Sequence, residues 1–376
     1  MRNESVLRIL RIRANAFQIK EGQCCFFRIF HWVTSTILEV FPIAALVIVN
    51  ASKASADDWP RYAGMNGLGI SNETNLIRSW QDTGPKICWS FEVGEGFGGV
   101  SISRGRVYLL DRPNDQQDVL RCIQLSDGQE LWNIAYDAPG KLPYNGSRNV
   151  PSIDGRYVFT AGPFGHIHCF SLDSQKIVWS RHLVEDFRDP EIDRPQSPTN
   201  RLDKLARAQV PMWGLTQAPL VYGDIVILAP QTQRVGLVAF DKLTGKTKWQ
   251  SGYIGRNWYS HVSPQRMRLS GKDQVIMLAQ PSDPEKSPAN APPALVSSID
   301  PATGKILWQT QTPGPYKIPI PQPIQIGDNR LLITGGYQMG CLILQVNFSE
   351  GQWRSTVVSH DKSVAAHIHS PGCSPR

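Results

Sequence analysis

Two pairs of histidines have the residue type and spacing closest to a metal site. His166 and His168 lie two positions apart in an apolar run, and His367 and His369 repeat this spacing near the C terminus. Side chains two apart on a strand point to the same face, so each pair could supply half of a zinc-type ligand set. The sequence places no carboxylate or third ligand with either pair, and lining a pore or a turn is the commoner role. We therefore predict no metal site.

A glycine-rich segment raises the question of nucleotide binding. Residues 94–99 read G-E-G-F-G-G and match G-x-G-x-x-G. That pattern holds a pyrophosphate only when it leads into a helix. Here an apolar strand pattern follows over 100–110, interrupted by a turn at 104–105, so we predict no nucleotide site. The chain also lacks G-x-S-x-G, H-E-x-x-H and a P-loop, and we predict no catalytic residue.

An eleven-residue segment recurs along the chain and organises the rest of it. Every copy opens on a small residue, passes through a polar turn and closes on tryptophan. The copies are C-I-Q-L-S-D-G-Q-E-L-W at 122–132, C-F-S-L-D-S-Q-K-I-V-W at 169–179, A-F-D-K-L-T-G-K-T-K-W at 239–249 and S-I-D-P-A-T-G-K-I-L-W at 298–308. Self-similarity at a period of about 40 to 50 residues is the signature of a stacked array.

The segment has a physical interpretation as a strand, a tight turn and a second strand. Asp241 can accept hydrogen bonds from backbone amides of the turn, and Gly245 can adopt the positive φ that the reversal needs. Asp300 and Gly304 hold the same positions in the next copy. The closing tryptophans, Trp132, Trp179, Trp249 and Trp308, are suited to fill the gap between neighbouring sheets. Because the copy at 239–249 is the best formed, Trp249 is expected to pack most tightly.

Four short strands per unit, packed radially, make a β-propeller blade. The alternative is a β-sandwich with tight hairpins, but a sandwich does not require tryptophan at a repeated register. The sequence predicts an all-β propeller with five complete units, at about 98–136, 147–183, 212–255, 258–311 and 319–358. A charged, proline-containing insertion at 185–210, with a short helix expected at 199–209, and a proline-rich excursion at 281–293 separate these units.

The pattern A-x-D-x-x-T-G-x-x-x-W resembles the tryptophan-docking motif of propellers built from the pyrroloquinoline-quinone (PQQ) repeat. Two copies are degenerate, with Gln124 or Ser171 in place of Asp and Gln175 in place of Gly. A fifth copy, at 345–355, keeps Gly351 but has its tryptophan two places early. The resemblance covers about residues 59–371. It implies seven or eight four-stranded blades in the parent fold.

The resemblance also implies two classes of function. In its quinoprotein dehydrogenases, PQQ stacks between a tryptophan and an adjacent Cys–Cys disulfide, and Ca²⁺ held by Glu, Asn and Asp polarises the quinone. After residue 56 this chain has no adjacent Cys pair. Trp213 and Trp258 could line the axis or pack between blades. In its non-enzymatic members, which are similar to the outer-membrane assembly factor, a propeller face binds partner peptides.

We therefore expect an exported, non-catalytic propeller that binds a protein or a small ligand on one face and has no resident cofactor. The alternative is a PQQ-dependent alcohol or sugar dehydrogenase with Ca²⁺. Net charge is +7, but residues 1–56 hold seven Lys or Arg against three Asp or Glu, so the remainder is nearly balanced. This balance excludes nucleic acid as the expected partner. Contact with a membrane is expected only through the export signal or by peripheral association.

Residues 1–56 read as a leader and 57–376 as a single domain. An apolar run at 37–49 follows a basic region, and Ala54-Ser55-Ala56 fits a small-x-small cleavage site. We expect a periplasmic or cell-envelope protein. Five cysteines follow the leader; Cys122 and Cys169 take the small position of their copies and are expected to be buried.

The two ends of the predicted propeller are irregular. Trp89 lies in an expected outer strand that has no earlier strands of its own unit. Residues 365–371 resemble the first strand of a further unit whose remaining strands do not follow. The C terminus is therefore predicted to be truncated.

Overall fold

The computed structural model describes residues 10–11 and 57–370, apart from 75, 78, 81–83, 190–209, 256–259, 281–292 and 317. The described chain is built of strands and turns, with one short helix, α1 Leu183–Asp186. No helix in these ranges is long and apolar enough to cross a membrane. Outside the described residues lie the expected leader apart from residues 10–11, the expected helix at 199–209, most of the excursion at 281–293, Trp258 and Cys373.

Five antiparallel sheets, each of four consecutive strands, follow one another along the chain. In chain order, their strands are β3 (Ser101–Ser103), β4 (Arg106–Asp111), β5 (Gln117–Gln124) and β6 (Glu130–Asp137); β7 (Ser152–Asp154), β8 (Tyr157–Ala161), β9 (His166–Ser171) and β10 (Lys176–His182); β11 (Leu220–Tyr222), β12 (Ile225–Leu228), β13 (Val238–Asp241) and β14 (Thr247–Gln250); β15 (Gln265–Leu269), β16 (Lys272–Ala279), β17 (Pro293–Ile299) and β18 (Ile306–Pro315); β19 (Ile324–Ile326), β20 (Arg330–Gly335), β21 (Gly340–Ser349) and β22 (Gln352–Asp361). A separate pair joins β1 (Leu10–Arg11) to β2 (Glu92–Val93). The predicted all-β propeller of four-stranded blades is confirmed.

The core consists of apolar layers between successive sheets. Neighbouring residues on a strand point to opposite faces, so one strand serves two layers. Val226 packs toward the second sheet, whereas Ile227 packs toward the fourth. Phe240 and Ala239 divide in the same way. Both faces of the inner sheets are therefore buried, which is why their strands read as continuous apolar runs rather than alternating ones.

Both ends of the described propeller differ from the sequence prediction. Among the described residues, the outer strand expected around Trp89 is reduced to β2, which pairs with β1 and with none of the four-stranded sheets. Trp89 and Phe91 instead pack against the outer face of the first sheet. Residues 364–370 form no strand either. Their polar groups bond to the fifth sheet and the loop before it, with the Ala366 amide donating to Thr334 Oγ1 at 2.9 Å.

An opening segment, residues 57–69, ties the sheets together near their first strands. Trp59 forms an antiparallel bridge with Ile102 of β3. The Pro60 carbonyl accepts a hydrogen bond from the Ile153 amide of β7 at 2.7 Å. Further along, the Gly67 carbonyl accepts from Gln265 Nε2 of β15 at 3.4 Å. The segment thereby contacts the first, second and fourth sheets.

Candidate functional site

The repeated segment has one backbone geometry in all four of its copies at 122–132, 169–179, 239–249 and 298–308. The opening small residue pairs directly across the sheet with the closing tryptophan, as Ala239 does with Trp249. The other pairs are Cys122 with Trp132, Cys169 with Trp179 and Ser298 with Trp308. A register shift next to each pair marks a β-bulge. A small side chain is needed there because the indole shares its face of the sheet.

Three tryptophans also contact the turn of the following sheet. Trp179 Nε1 donates to the Lys242 carbonyl at 2.9 Å. A Cβ atom placed on Gly245 would lie 2.8 Å from the Trp179 ring, so only glycine fits beneath the indole. The same contact joins Trp89 to the Leu125 carbonyl and Gly128, and Trp249 to the Pro301 carbonyl and Gly304.

Two tryptophans depart from this arrangement. Trp132 Nε1 is buried without a hydrogen-bond partner, and the following turn carries Gln175 instead of glycine. Trp308 Nε1 donates at 2.9 Å to Gln274 Oε1, within its own sheet. Trp308 and Trp179 are only 6% and 8% exposed, whereas Trp249 is half-buried. The expectation that Trp249 packs most tightly is therefore wrong.

The turn aspartates hold the reversal from its inner side. Asp241 Oδ1 accepts hydrogen bonds from the Leu243 and Thr244 amides at 3.1 and 2.9 Å. Asp300 accepts from the two equivalent amides of its turn. The Lys248 ammonium, 3.1 Å from Asp241, and the Thr244 hydroxyl hold the pKa of Asp241 at about 2.

Replacing Gln175 by glycine is expected to raise the free energy of unfolding by about 0.5 to 1 kcal/mol, because Gln175 is held in the left-handed region at φ 53°. Urea denaturation measures the change. Ser174→Gly, in the same turn but without a positive φ, is the matched control and should be destabilising. Equal effects of the two substitutions would show that the conformation of Gln175 costs nothing.

An axial pocket of about 830 Å³ opens where the five sheets begin. Its walls come from the segments that precede β3, β7, β11, β15 and β19, from Tyr337 between β20 and β21, and from residues 367–369. The opening segment contributes Tyr62. The segment before the first strand of every sheet therefore supplies residues to this one cavity.

One wall of the axial pocket is aromatic. The rings of Tyr144 and Trp213 stack at 5.2 Å with an interplanar angle of 18°. Phe97 meets Tyr144 edge-on at 6.5 Å. Phe97 is 67% exposed and Tyr144 is 55% exposed. A contiguous exposed apolar patch, unlike a single exposed ring, marks a candidate contact for a ligand or partner.

Arg148 supplies a positive charge beside the aromatic wall. Its Nε donates to the Trp213 carbonyl at 2.8 Å, and its guanidinium carbon lies 4.7 Å from the Phe97 ring centroid. None of the ion pairs formed by the described residues includes Arg148. Burial, followed by repulsion from Arg112, lowers the pKa of Arg148 to about 10. The guanidinium is thus fixed by backbone carbonyls and carries a charge that no described carboxylate neutralises.

The opposite wall is aliphatic with histidines at its edge. Ile318, Ile320 and Ile368 line it, and His367 packs edge-on against Tyr337 at 4.7 Å. Across the cavity, His261 Nδ1 lies 2.9 Å from Thr216 Oγ1. The His367 and His369 pair therefore lines the axial pocket, as the sequence suggested for a pore.

The other histidine pair lies between the first two sheets. His166 and His168 both face Tyr136, with ring centroids 6.1 and 4.0 Å away. His168 Nδ1 lies 2.8 Å from Ser180 Oγ. Among the described residues, no group of three or more His, Cys, Asp or Glu is placed to hold a metal ion.

We expect stability to fall as the pH drops from about 6.5 to about 4. Burial, more than neighbouring positive charge, lowers the pKa of His166, His168 and His261 to about 4. The unfolded chain protonates these residues near pH 6.5, so it binds more protons than the folded chain throughout this window. Urea midpoints measured across the window should decline less steeply in His168→Gln. A midpoint that does not change with pH would contradict this expectation.

The radial sheets and the repeated tryptophan turns define a β-propeller built from PQQ-type repeats. A family model described as outer membrane protein assembly factor BamB matches residues 115–369, more than half of the chain. The chain belongs to this family of PQQ-repeat propellers. No curated protein matches it in sequence.

Two solved structures show how far the similarity extends. BamB from Moraxella catarrhalis is 17% identical with a TM-score of 0.47, over 75% of this chain and 66% of that one. Quinohemoprotein alcohol dehydrogenase from Comamonas testosteroni is 15% identical with a TM-score of 0.50, over 85% of this chain and 49% of that one. The chain thus spans less than two thirds of either protein, and at these identities the likeness shows the fold alone.

The described lining of the axial pocket does not fit PQQ held with Ca²⁺. Ca²⁺ takes about six to eight oxygen ligands, most of them from carboxylates. The described lining includes no Asp or Glu. Its asparagine, Asn149, donates its amide to the Ala161 and Leu215 carbonyls and has an unpaired buried Oδ1, so it could offer Ca²⁺ one oxygen ligand. The four described cysteines are free, and no two of them are adjacent in sequence.

Proposed function

We propose that this protein is an exported, non-catalytic binding module whose axial pocket receives an apolar ligand or partner segment that carries an acidic group. The observation that carries the proposal is the exposed aromatic wall of a pocket of about 830 Å³. Large apolar pockets with a few fixed polar groups are the usual binding sites of proteins. The aromatic wall would bury the apolar body, and Arg148 would pair with the acidic group.

The repeated turns support this proposal because a binding face requires a rigid frame. We propose that Trp89, Trp179 and Trp249 dock each sheet onto the next and thereby hold the pocket walls in register. These contacts lie on turns at the ends of the strands away from the pocket. Scaffold and binding face are therefore separate surfaces of one domain.

An anionic fluorescent probe, 8-anilinonaphthalene-1-sulfonate, tests the pocket directly. We expect saturable fluorescence enhancement that weakens about tenfold in Phe97→Ala, because this substitution removes part of the apolar wall. Phe97 is 67% exposed, so its loss should not unfold the chain. Leu243→Ala is the control; Leu243 is an exposed leucine of the turn between β13 and β14, one of the docking turns that a tryptophan of the preceding sheet contacts. Equal affinities in all three proteins would show that the probe binds elsewhere.

The dehydrogenase alternative is tested separately by adding PQQ and Ca²⁺ to the purified protein. The proposal predicts no new visible absorbance band and no alcohol oxidation. A stoichiometric band would replace the binding-module proposal with a quinoprotein.

Export is proposed from the sequence of residues 1–56. Cleavage after Ala56 would leave Asp57 as the first residue of the mature protein. N-terminal sequencing of protein recovered from the cell envelope should therefore begin with D-D-W-P. Soluble protein that retains residues 1–56 would contradict export by cleavage.

A further inference from the structure

We propose that a second cavity, the basic cavity, binds a small oxyanion of the phosphate type. The opening segment lines this cavity, and Tyr62, Ala218 and Ser263 border both it and the axial pocket. Its volume is about 230 Å³. Three arginines line it: Arg61, Arg266 and Arg268.

Positive charge in the basic cavity exceeds the negative charge beside it. Arg266 pairs with Asp273 at 2.9 Å, and Arg268 lies 3.6 Å from the same carboxylate. One carboxylate therefore serves two guanidinium groups. Arg61 forms no ion pair with a described residue, and its buried Nε has no hydrogen-bond acceptor. Asp154, which acts on Arg61 over a longer distance, is paired with Lys242 at 2.8 Å.

The strand geometry directs two of these arginines toward the same ligand. Arg266 and Arg268 are two apart on β15, so they extend from one face of the strand. Arg61 approaches from the opening segment, where its Nη1 is 3.4 Å from the Val221 carbonyl. Asn66 and Gln325 also line the cavity, and the Gln325 side chain is held in place by the Arg268 backbone and the Gly327 carbonyl. A ligand between Arg61 and the β15 arginines would contact guanidinium groups from two separate parts of the chain.

Size and donor type select the ligand. Guanidinium groups match the oxygens of phosphate better than other cations do, because they offer several N–H donors in a fixed plane. The volume is below the roughly 300 Å³ at which pockets for larger organic ligands begin. The basic cavity therefore suits a single phosphate group, either free phosphate or the exposed phosphate of a lipid headgroup.

Isothermal titration of the full chain with inorganic phosphate, at low salt in a buffer without oxyanions, tests the proposal. We expect one saturable site per chain that weakens about tenfold in Arg61→Gln and in Arg268→Gln, because each removes a charge-assisted hydrogen bond. Arg156→Gln is the matched control, since Arg156 is 73% exposed in its surface pair with Asp173. It removes the same charge and should change the affinity less than about twofold.

Absence of saturable phosphate binding, or equal weakening by Arg156→Gln, would overturn the proposal. Thermal melts show whether each variant is folded; if Arg61→Gln is not, Arg268→Gln carries the test, because that side chain is 67% exposed. Sedimentation with phosphatidylglycerol vesicles separates the two sources. Binding to vesicles that phosphate competes away assigns the site to a lipid headgroup, and phosphate binding without sedimentation assigns it to the free anion.

Discussion

Replacing Trp179 by alanine is expected to lower the free energy of unfolding by about 3 to 5 kcal/mol, the usual range for emptying a buried aromatic site. The indole is 8% exposed and lies 6.1 Å from the ring centroids of both Phe159 and Phe240, which belong to different sheets. Its loss would also leave the Lys242 carbonyl without its indole donor. Urea denaturation followed by circular dichroism measures the change.

Trp80→Ala is the control for Trp179→Ala. Trp80 is 54% exposed and outside the repeated segment, so its removal should cost less than about 0.5 kcal/mol. A loss below about 1 kcal/mol in Trp179→Ala would mean that this indole does not hold the second and third sheets together.

The second large effect is expected at a buried ion pair. Arg112 Nη1 lies 2.7 Å from Asp118 Oδ1, and the two side chains are 2% and 0% exposed. Arg112 Nη2 also donates to the Ala138 and Gly140 carbonyls, so the guanidinium cannot turn toward water without losing those bonds. Asp118→Ala would leave this charge buried without its partner. We expect a loss of about 3 to 5 kcal/mol in the free energy of unfolding.

Asp173→Ala separates burial from charge pairing. Asp173 pairs with Arg156 at 3.0 Å, with side chains 57% and 73% exposed. Exposed pairs contribute about 0 to 1 kcal/mol, so this substitution should barely move the urea midpoint. Similar losses in the two variants would show that burial does not decide the strength of the Arg112–Asp118 pair.

The sequence predicted the sheets well because their signal is local and repeated. A small residue, a turn and a tryptophan fall within eleven positions, and the strands around them are apolar. Each of the four turns is closed by a hydrogen bond between two backbone groups. The degenerate turn at Ser171–Gln175 also has this bond, with the Gln175 amide donating to the Ser171 carbonyl at 2.9 Å. Turn geometry therefore survives the loss of both Asp and Gly, at the cost of a left-handed glutamine.

The partners of those tryptophans were less predictable. The copy that ends at Trp308 reads like the copy that ends at Trp249, yet its indole bonds to Gln274. The fifth sheet explains the difference: a Cβ atom on Gly351 would meet nothing within 4 Å, so that turn makes no close contact with an indole. Whether a tryptophan reaches the following turn depends on that turn's own sequence, which lies outside the tryptophan's segment.

The axial pocket could not be predicted because its residues share neither a motif nor a spacing. Phe97, Tyr144, Arg148 and Trp213 come from three separate loops. Of its lining residues, only Trp213, His367 and His369 were candidates for the axis from sequence. Trp258 was a further candidate and lies outside the described residues, whereas His166 and His168 lie between the first two sheets. The one weak signal was the position of these loops before the first strand of each unit, since propeller loops of that kind converge on the axis.

Site-specific photocrosslinking in the native cell tests the central claim, that the axial pocket is the binding site. A benzophenone side chain placed at Phe97, on the aromatic wall, is compared with one at Leu243, on a docking turn; both positions are exposed. The account predicts a discrete adduct from position 97 that disappears when Trp213→Ala is added, and no such adduct from position 243. The same adduct from both positions, or an adduct from position 97 that persists without Trp213, would contradict it.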